Sequence, residues 1–137
     1  KSPPLSKTMP HFLIEITDNI AGEADIPGLL KKVNDTLIAQ GGVFPTGGIR
    51  SRAVVLAHYR MADGAEDYAF VHAQLKIGAG RPQEVRKKAG DELFAAITAH
   101  FADLHARRWL ALSMEIAEFD EAGTWKHNNV HARFRKD

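Results

Sequence analysis

The sequence predicts an α/β (α+β) fold in which tandem β-α-β units form a four-stranded mixed sheet with two helices on one face. Three observations carry this. Apolar residues alternate at a period of two in several short runs, the mark of strands with one buried side. Two longer segments repeat their apolar residues at helical spacing. The segments follow the order strand, helix, strand, turn, strand, helix, strand, so one unit is stated twice.

The first strand is "HFLIEIT", with Phe12, Ile14 and Ile16 on one side and Leu13 on the other. "ADIPGLLKKVNDTLIAQGG" follows as a helix. Asp25 can cap it, Pro27 suits its first turn, and Leu29, Leu30, Val33 and Leu37 line one face before Gly41-Gly42 ends it. "SRAVVLAHYRM" is the second strand, rich in β-branched and aliphatic residues. Asp63-Gly64 is a turn signal, so the third strand, "DYAFVHAQLKI", is expected to fold back as the second arm of a hairpin. Its Ala69, Val71, Ala73 and Leu75 face one way, and Tyr68, Phe70 and His72 the other. "GAGRPQEVRKKAGDELFAAITAHFADLHARR" reads as one long helix opened by Pro82, with Val85, Ala89, Leu93, Ile97, Phe101 and Leu104 along its apolar face. "LALSMEIAEF" is the fourth strand, and a tail holding Trp125 and Phe134 closes the chain. The helix-free side of the sheet keeps apolar side chains from the first and third strands, so self-association is expected.

Composition narrows the function. A chain of 137 residues, 45% hydrophobic and 26% charged, has the size and balance of one globular domain. A net charge of +1 with both signs interspersed gives no nucleic-acid footprint. No apolar run approaches the roughly 18 residues a membrane span needs, and "KSPPLSKT" lacks the apolar centre of a signal peptide. The absence of Cys excludes disulfides, thiolate nucleophiles and Cys-based zinc sites, and agrees with a cytoplasmic location. Residues 1–9 read as a natural extension or a tag remnant ending in a start Met9, and residues 10–137 as the domain proper.

Connectivity assembles a candidate site. In a parallel β-α-β unit both strands begin at the same end of the sheet, which puts Pro10 beside Arg50. The third strand runs back and finishes at that end, just before Arg81. A free amino-terminal proline is a secondary amine, and nearby guanidinium groups disfavour its ammonium form. Such an amine suits the transfer of a proton on a carboxylated substrate, with the arginines gripping carboxylate and stabilising enolate charge. Structural readings stand beside this one. A proline at a strand start spares the sheet a missing N–H, Arg50 and Arg52 in "GIRSR" fit a solvated edge, and Arg81 fits a helix-leading surface position. "GAGRP" lacks the Lys-Ser/Thr of a phosphate loop. His127 and His131 are four apart with no third ligand evident, the strand histidines His58 and His72 read as packing or hydrogen-bonding residues, and the helix histidines His100 and His105 as partly exposed or locally satisfied.

The segments "MPHFLIEITDNI", "GIRSR", "MADG", "DYAFVHAQLKIGAGR" and "NNVHARF" resemble the 5-carboxymethyl-2-hydroxymuconate isomerase family of the tautomerase superfamily, over Met9 to about Phe134. The resemblance implies a catalytic amino-terminal proline, which falls on Pro10 once Met9 is removed. It implies two active-site arginines, which fall on Arg50 and Arg81. It also implies a homotrimer whose sheets face a central axis, a small carboxylated dienol as substrate, and no cofactor. The reaction so implied is ketonisation of the dienol in bacterial homoprotocatechuate breakdown. The chain departs from the pattern in residues 1–9, which leave Pro10 bonded through its nitrogen. Two other readings remain: a related tautomerase acting on another 2-hydroxydienoate or enol, and a non-catalytic trimer that binds a small molecule.

Overall fold

A computed structural model describes residues 9–134. Strand β1 (His11–Thr17) buries Phe12, Ile14 and Ile16 completely, as its alternation requires. A short helix α1 (Asp18–Ala21), which periodicity did not reveal, turns the chain into α2 (Ile26–Ile38). The Asp25 carboxylate caps α2 by accepting from the Gly28 N–H at 3.2 Å. Leu29, Val33 and Leu37 then bury the face that the sequence assigns to the core.

A 3₁₀ turn over Thr46–Gly48 leads into β2 (Arg50–Leu56), which stops short of the predicted second strand. Thus His58 lies beyond the strand, in the loop over residues 57–68. After that loop come β3 (Ala69–Gly78), α3 (Gln83–His100), α4 (Ala102–Arg107) and β4 (Leu110–Phe119).

The sheet order is β2-β1-β3-β4. The β1–β2 and β3–β4 pairs are parallel, and β1–β3 is antiparallel. This confirms the mixed sheet and the direction of each strand, but corrects the hairpin: β1 lies between β2 and β3. Asp63-Gly64 does turn, with Gly64 at φ 70° and Asp63 Oδ1 accepting from the Ala65 N–H at 3.0 Å, yet the turn tips a loop rather than joining paired strands. The physical reason is burial. β1 and β3, whose inward side chains are wholly buried, take the two central places, whereas β2 carries exposed Arg50, Arg52, Val54 and Val55 and tolerates the rim.

The long helix also divides, at Phe101, whose φ of −97° and ψ of 9° leave the helical range. A row of residues spaced by four drifts about 40° per step around a straight helix. The bend at Phe101 re-aims the row, so that Phe101 and Leu104 join Ala89, Leu93 and Ile97 in the core. The helix-free face is less apolar than expected. Leu13 and Phe70 do lie there, half-buried, but Arg50, His11 and Lys76 form one row across it, and Arg52, Gln74 and Glu115 flank Leu13 in the next.

Candidate active site

Both β1 and β2 start at one end of the sheet, and both β3 and β4 finish there, since His11 pairs with Arg50 and Lys76, and Gly78 with Phe119. Pro10 is buried at this end, and its carbonyl accepts from the Arg50 N–H at 3.1 Å. No ladder bond is lost to its missing N–H, because the residue sits one step outside the strand. The turn after β3 carries Arg81 to the same end.

The two arginines differ in setting. Arg50 is exposed and shares the helix-free face with His11, its cross-strand partner. Arg81 is only 4% exposed, which corrects its reading as a surface residue. Its Nη1 donates to the Gly78 carbonyl at 3.2 Å and its Nη2 to the Val43 carbonyl at 3.1 Å. The guanidinium carbon also lies 4.9 Å from the centre of the Phe44 ring. Burial pulls the Arg81 pKa down, and the carboxylates of Glu118 and Glu121 act against that pull. Arginine's intrinsic basicity keeps it a cation. Phe44, in "GGVFPTGG", is the sequence's one hint of this seat, and nothing local joins it to Arg81.

The site's third wall was not foreseen. The tail after β4 returns across the Thr46–Gly48 turn, where the Asn128 amide donates from Nδ2 to the Gly47 carbonyl at 3.0 Å. The same nitrogen stands 3.5 Å from Met9 Sδ. His131, weighed from sequence only as a metal ligand, lies against Gly47 and Gly48 instead. A Cβ on Gly47 would come within 2.7 Å of the His131 Cα, so the close approach requires glycine. Met9 is 6% exposed and fills the space in front of Pro10. Paired asparagines and a glycine pair are turn signals, but sequence alone does not bring them together across some eighty positions.

Positive charge gathers beside this end. His11, Leu13, Arg52, Gln74 and Lys76 line a shallow hollow of about 330 Å³ on the helix-free face. The Arg52 Nη1 lies 3.2 Å from His11 Nδ1, which accepts from it when the ring is neutral. Partial burial, then the charges of Arg52, Arg50 and Lys76, hold the His11 pKa below its ordinary 6.5. Two of the remaining histidines are locally satisfied: His100 Nε2 meets the Ala24 carbonyl at 2.6 Å, and His72 lies between Ser113 and Glu115, while His105 on α4 is exposed.

The chemistry available at Pro10 depends on one bond. Joined to Met9, its nitrogen is an amide whose lone pair is delocalised into the carbonyl. Released, it is a secondary amine with Arg50 and Arg81 at the same end of the sheet.

Comparison with known proteins assigns the fold and the family. The sequence profile described as 5-carboxymethyl-2-hydroxymuconate isomerase matches residues 10–134. The 5-carboxymethyl-2-hydroxymuconate Delta-isomerase of Escherichia coli is 55% identical over 127 residues, covering 93% of this chain and all of the relative. A crystal structure of a 5-carboxymethyl-2-hydroxymuconate isomerase from Deinococcus radiodurans R1 superposes with a TM-score of 0.93 at 55% identity, over 97% of this chain and all of the other. A fused 4-OT protein described as a symmetric trimer shares the fold at 17% identity, with a TM-score of 0.64 over 86% of this chain and 92% of its own. On these grounds the chain is an isomerase with the tautomerase fold, and it belongs to the 5-carboxymethyl-2-hydroxymuconate isomerase family.

Proposed function

We propose that the protein ketonises 5-carboxymethyl-2-hydroxymuconate, with Pro10 as the proton-shuttling base. Pro10 takes the proton of the 2-hydroxyl and returns it at C-5, which moves the double bond and yields the 2-oxo isomer. Arg50 and Arg81 bind the substrate's carboxylates and stabilise the enolate-like charge of the transition state. Every atom that moves belongs to substrate or Pro10, so the cycle needs no cofactor. The observation that carries this reading is the meeting of strand ends: the bond between the Pro10 carbonyl and the Arg50 N–H, and the turn that returns Arg81 to the same end. Relatives that carry this substrate in their names add support at 55% identity. The same reading puts the enzyme in the cytoplasm, in bacterial breakdown of homoprotocatechuate, and in a homotrimer that packs the helix-free faces around a central axis. Leu13, Phe70 and the 45%-exposed Val54 on that face suit such packing, as does the symmetric trimer of a fold relative.

The decisive experiment compares the chain that keeps residues 1–9 with one beginning at Pro10, each verified by intact mass, against a panel of hydroxymuconate-type acids. General-base catalysis is worth about 10²–10⁴-fold, so the longer chain is expected to be slower by that factor. Equal kcat/KM in the two preparations would show that Pro10 is not the base. A better substrate elsewhere in the panel would reassign the specificity.

A further inference from the structure

Asn128 is held so that its amide has one possible orientation. Its Oδ1 accepts from the Val130 N–H at 2.7 Å, while its Nδ2 donates to the Gly47 carbonyl at 3.0 Å. A flipped amide would set donor against donor and acceptor against acceptor. Gly47 uses one of the two N–H bonds on Nδ2. The nitrogen's other neighbour is Met9 Sδ at 3.5 Å, a thioether and so a weak acceptor. A well-oriented donor is therefore spent on a poor partner, in a part-buried place where donors ordinarily find good ones.

The space that Met9 occupies is shaped by its surroundings. A Cβ on Gly48 would stand 2.9 Å from Met9 Cγ and 3.2 Å from His131 Cε1, so this wall is bare backbone. Met9 itself is 6% exposed, and its carbonyl carbon is bonded to the Pro10 nitrogen.

We infer that Asn128 is a substrate-contacting residue: in a chain that begins at Pro10, the volume held by Met9 receives one end of the carboxylated dienol, and the second N–H of Asn128 donates to a carboxylate oxygen there. The inference rests on the proposed role of Pro10. A carboxylate is a far stronger acceptor than a thioether. Because the amide is neutral, it adds binding and orientation without moving the Pro10 pKa. Its signature is thus a change in KM with the pH profile left in place.

The test uses the chain beginning at Pro10. Residues 1–9 precede β1, and the Escherichia coli relative aligns over its whole length to 93% of this chain. Ketonisation kinetics are measured together with calorimetric binding of muconate, a dicarboxylate that lacks the 2-hydroxyl and cannot ketonise. Asn128→Ala is expected to raise both the substrate KM and the muconate Kd about tenfold or more, the worth of a hydrogen bond to a charged group. The limbs of the pH profile are expected to stay where they are. Unchanged KM and Kd in a folded Asn128→Ala protein would overturn the inference, as would a displaced pH limb, which would mean that the tail merely holds Pro10 in place. Should Asn128→Ala fail to fold, Gly48→Ala reads the same volume from the opposite wall, and an unchanged muconate Kd there would be equally fatal. Muconate binding that depends on Asn128 without any turnover would defeat the proton-shuttle reading and leave this one standing. Turnover indifferent to Asn128 would do the reverse, and neither binding nor turnover would defeat both.

Discussion

Arg50 and Arg81 carry the same charge at the same end of the sheet, yet their substitution is expected to have different consequences. Arg50 is exposed, so Arg50→Ala should leave stability within about 0.5 kcal/mol. Loss of one charge-assisted contact to the transition state, about 2–3 kcal/mol, should lower kcat/KM by roughly 30- to 150-fold. Wild-type kinetics in that variant would remove Arg50 from the site. Arg81→Ala removes in addition the donors to the buried Gly78 carbonyl and the part-buried Val43 carbonyl, and the cation over Phe44. Each carbonyl left unpaired in the interior costs about 1–3 kcal/mol, so this variant should lose denaturation midpoint as well as activity. A midpoint equal to wild type would show that water readily replaces the guanidinium. The shared location of Pro10, Arg50 and Arg81 was legible in the sequence, because strand direction alone fixes which ends meet. The burial of Arg81 was not, because Phe44 and Val43 reach it through space, and Asn128 escaped for the same reason.

Among the elements, α2 offers the cleanest test of local chemistry. Asp25 caps it from a left-handed backbone, φ 46°. Asp25→Ala loses the cap bond and keeps the strained φ, and should cost about 1–2 kcal/mol in urea unfolding. Asp25→Gly loses the same bond but relieves the φ, and should cost less. An alanine variant as stable as the glycine one would show that the left-handed geometry is not costly here. Strands β1 and β3 could be read off directly, because a period of two over Phe12–Ile16 and Ala69–Leu75 fits nothing else. Their neighbours could not. Asp63-Gly64 reports the bend of four residues, whereas strand order depends on which strand most needs two covered edges. The break at Phe101 was likewise invisible, since a four-residue apolar row looks continuous in sequence while it drifts around the helix surface.

At the scale of the molecule, the proposed trimer and the pH response concern the same face. Light scattering is expected to give a mass near three chains of 15.1 kDa, and a stable single-chain mass at micromolar concentration would refute the assembly. On that face His11 has a pKa below its ordinary 6.5, so the unfolded chain takes up a proton at a higher pH than the native one does. The resulting stability is present above pH 6.5 and is lost as pH falls from there through the folded pKa. Thermal melting should therefore drop across that window, and His11→Gln should flatten the drop; an unaltered slope would assign the titration to another group. A last consequence lies in where the chain crosses itself. The head of β1 and the returning tail meet at the Thr46–Gly48 turn, while Gly64 tips a loop at the opposite end of a strand seven residues long, a span of about 23 Å. A dye, an affinity handle or a surface linker attached by way of that loop would ride on the far pole, whereas the same cargo fused ahead of Pro10 would leave the nitrogen of the proposed base as an amide. For anyone building with this scaffold, the proposed chemistry makes the first residue matter, and a circular permutant that opens at Gly64 and ties the old ends together would keep the architecture while losing the free amine proposed at Pro10.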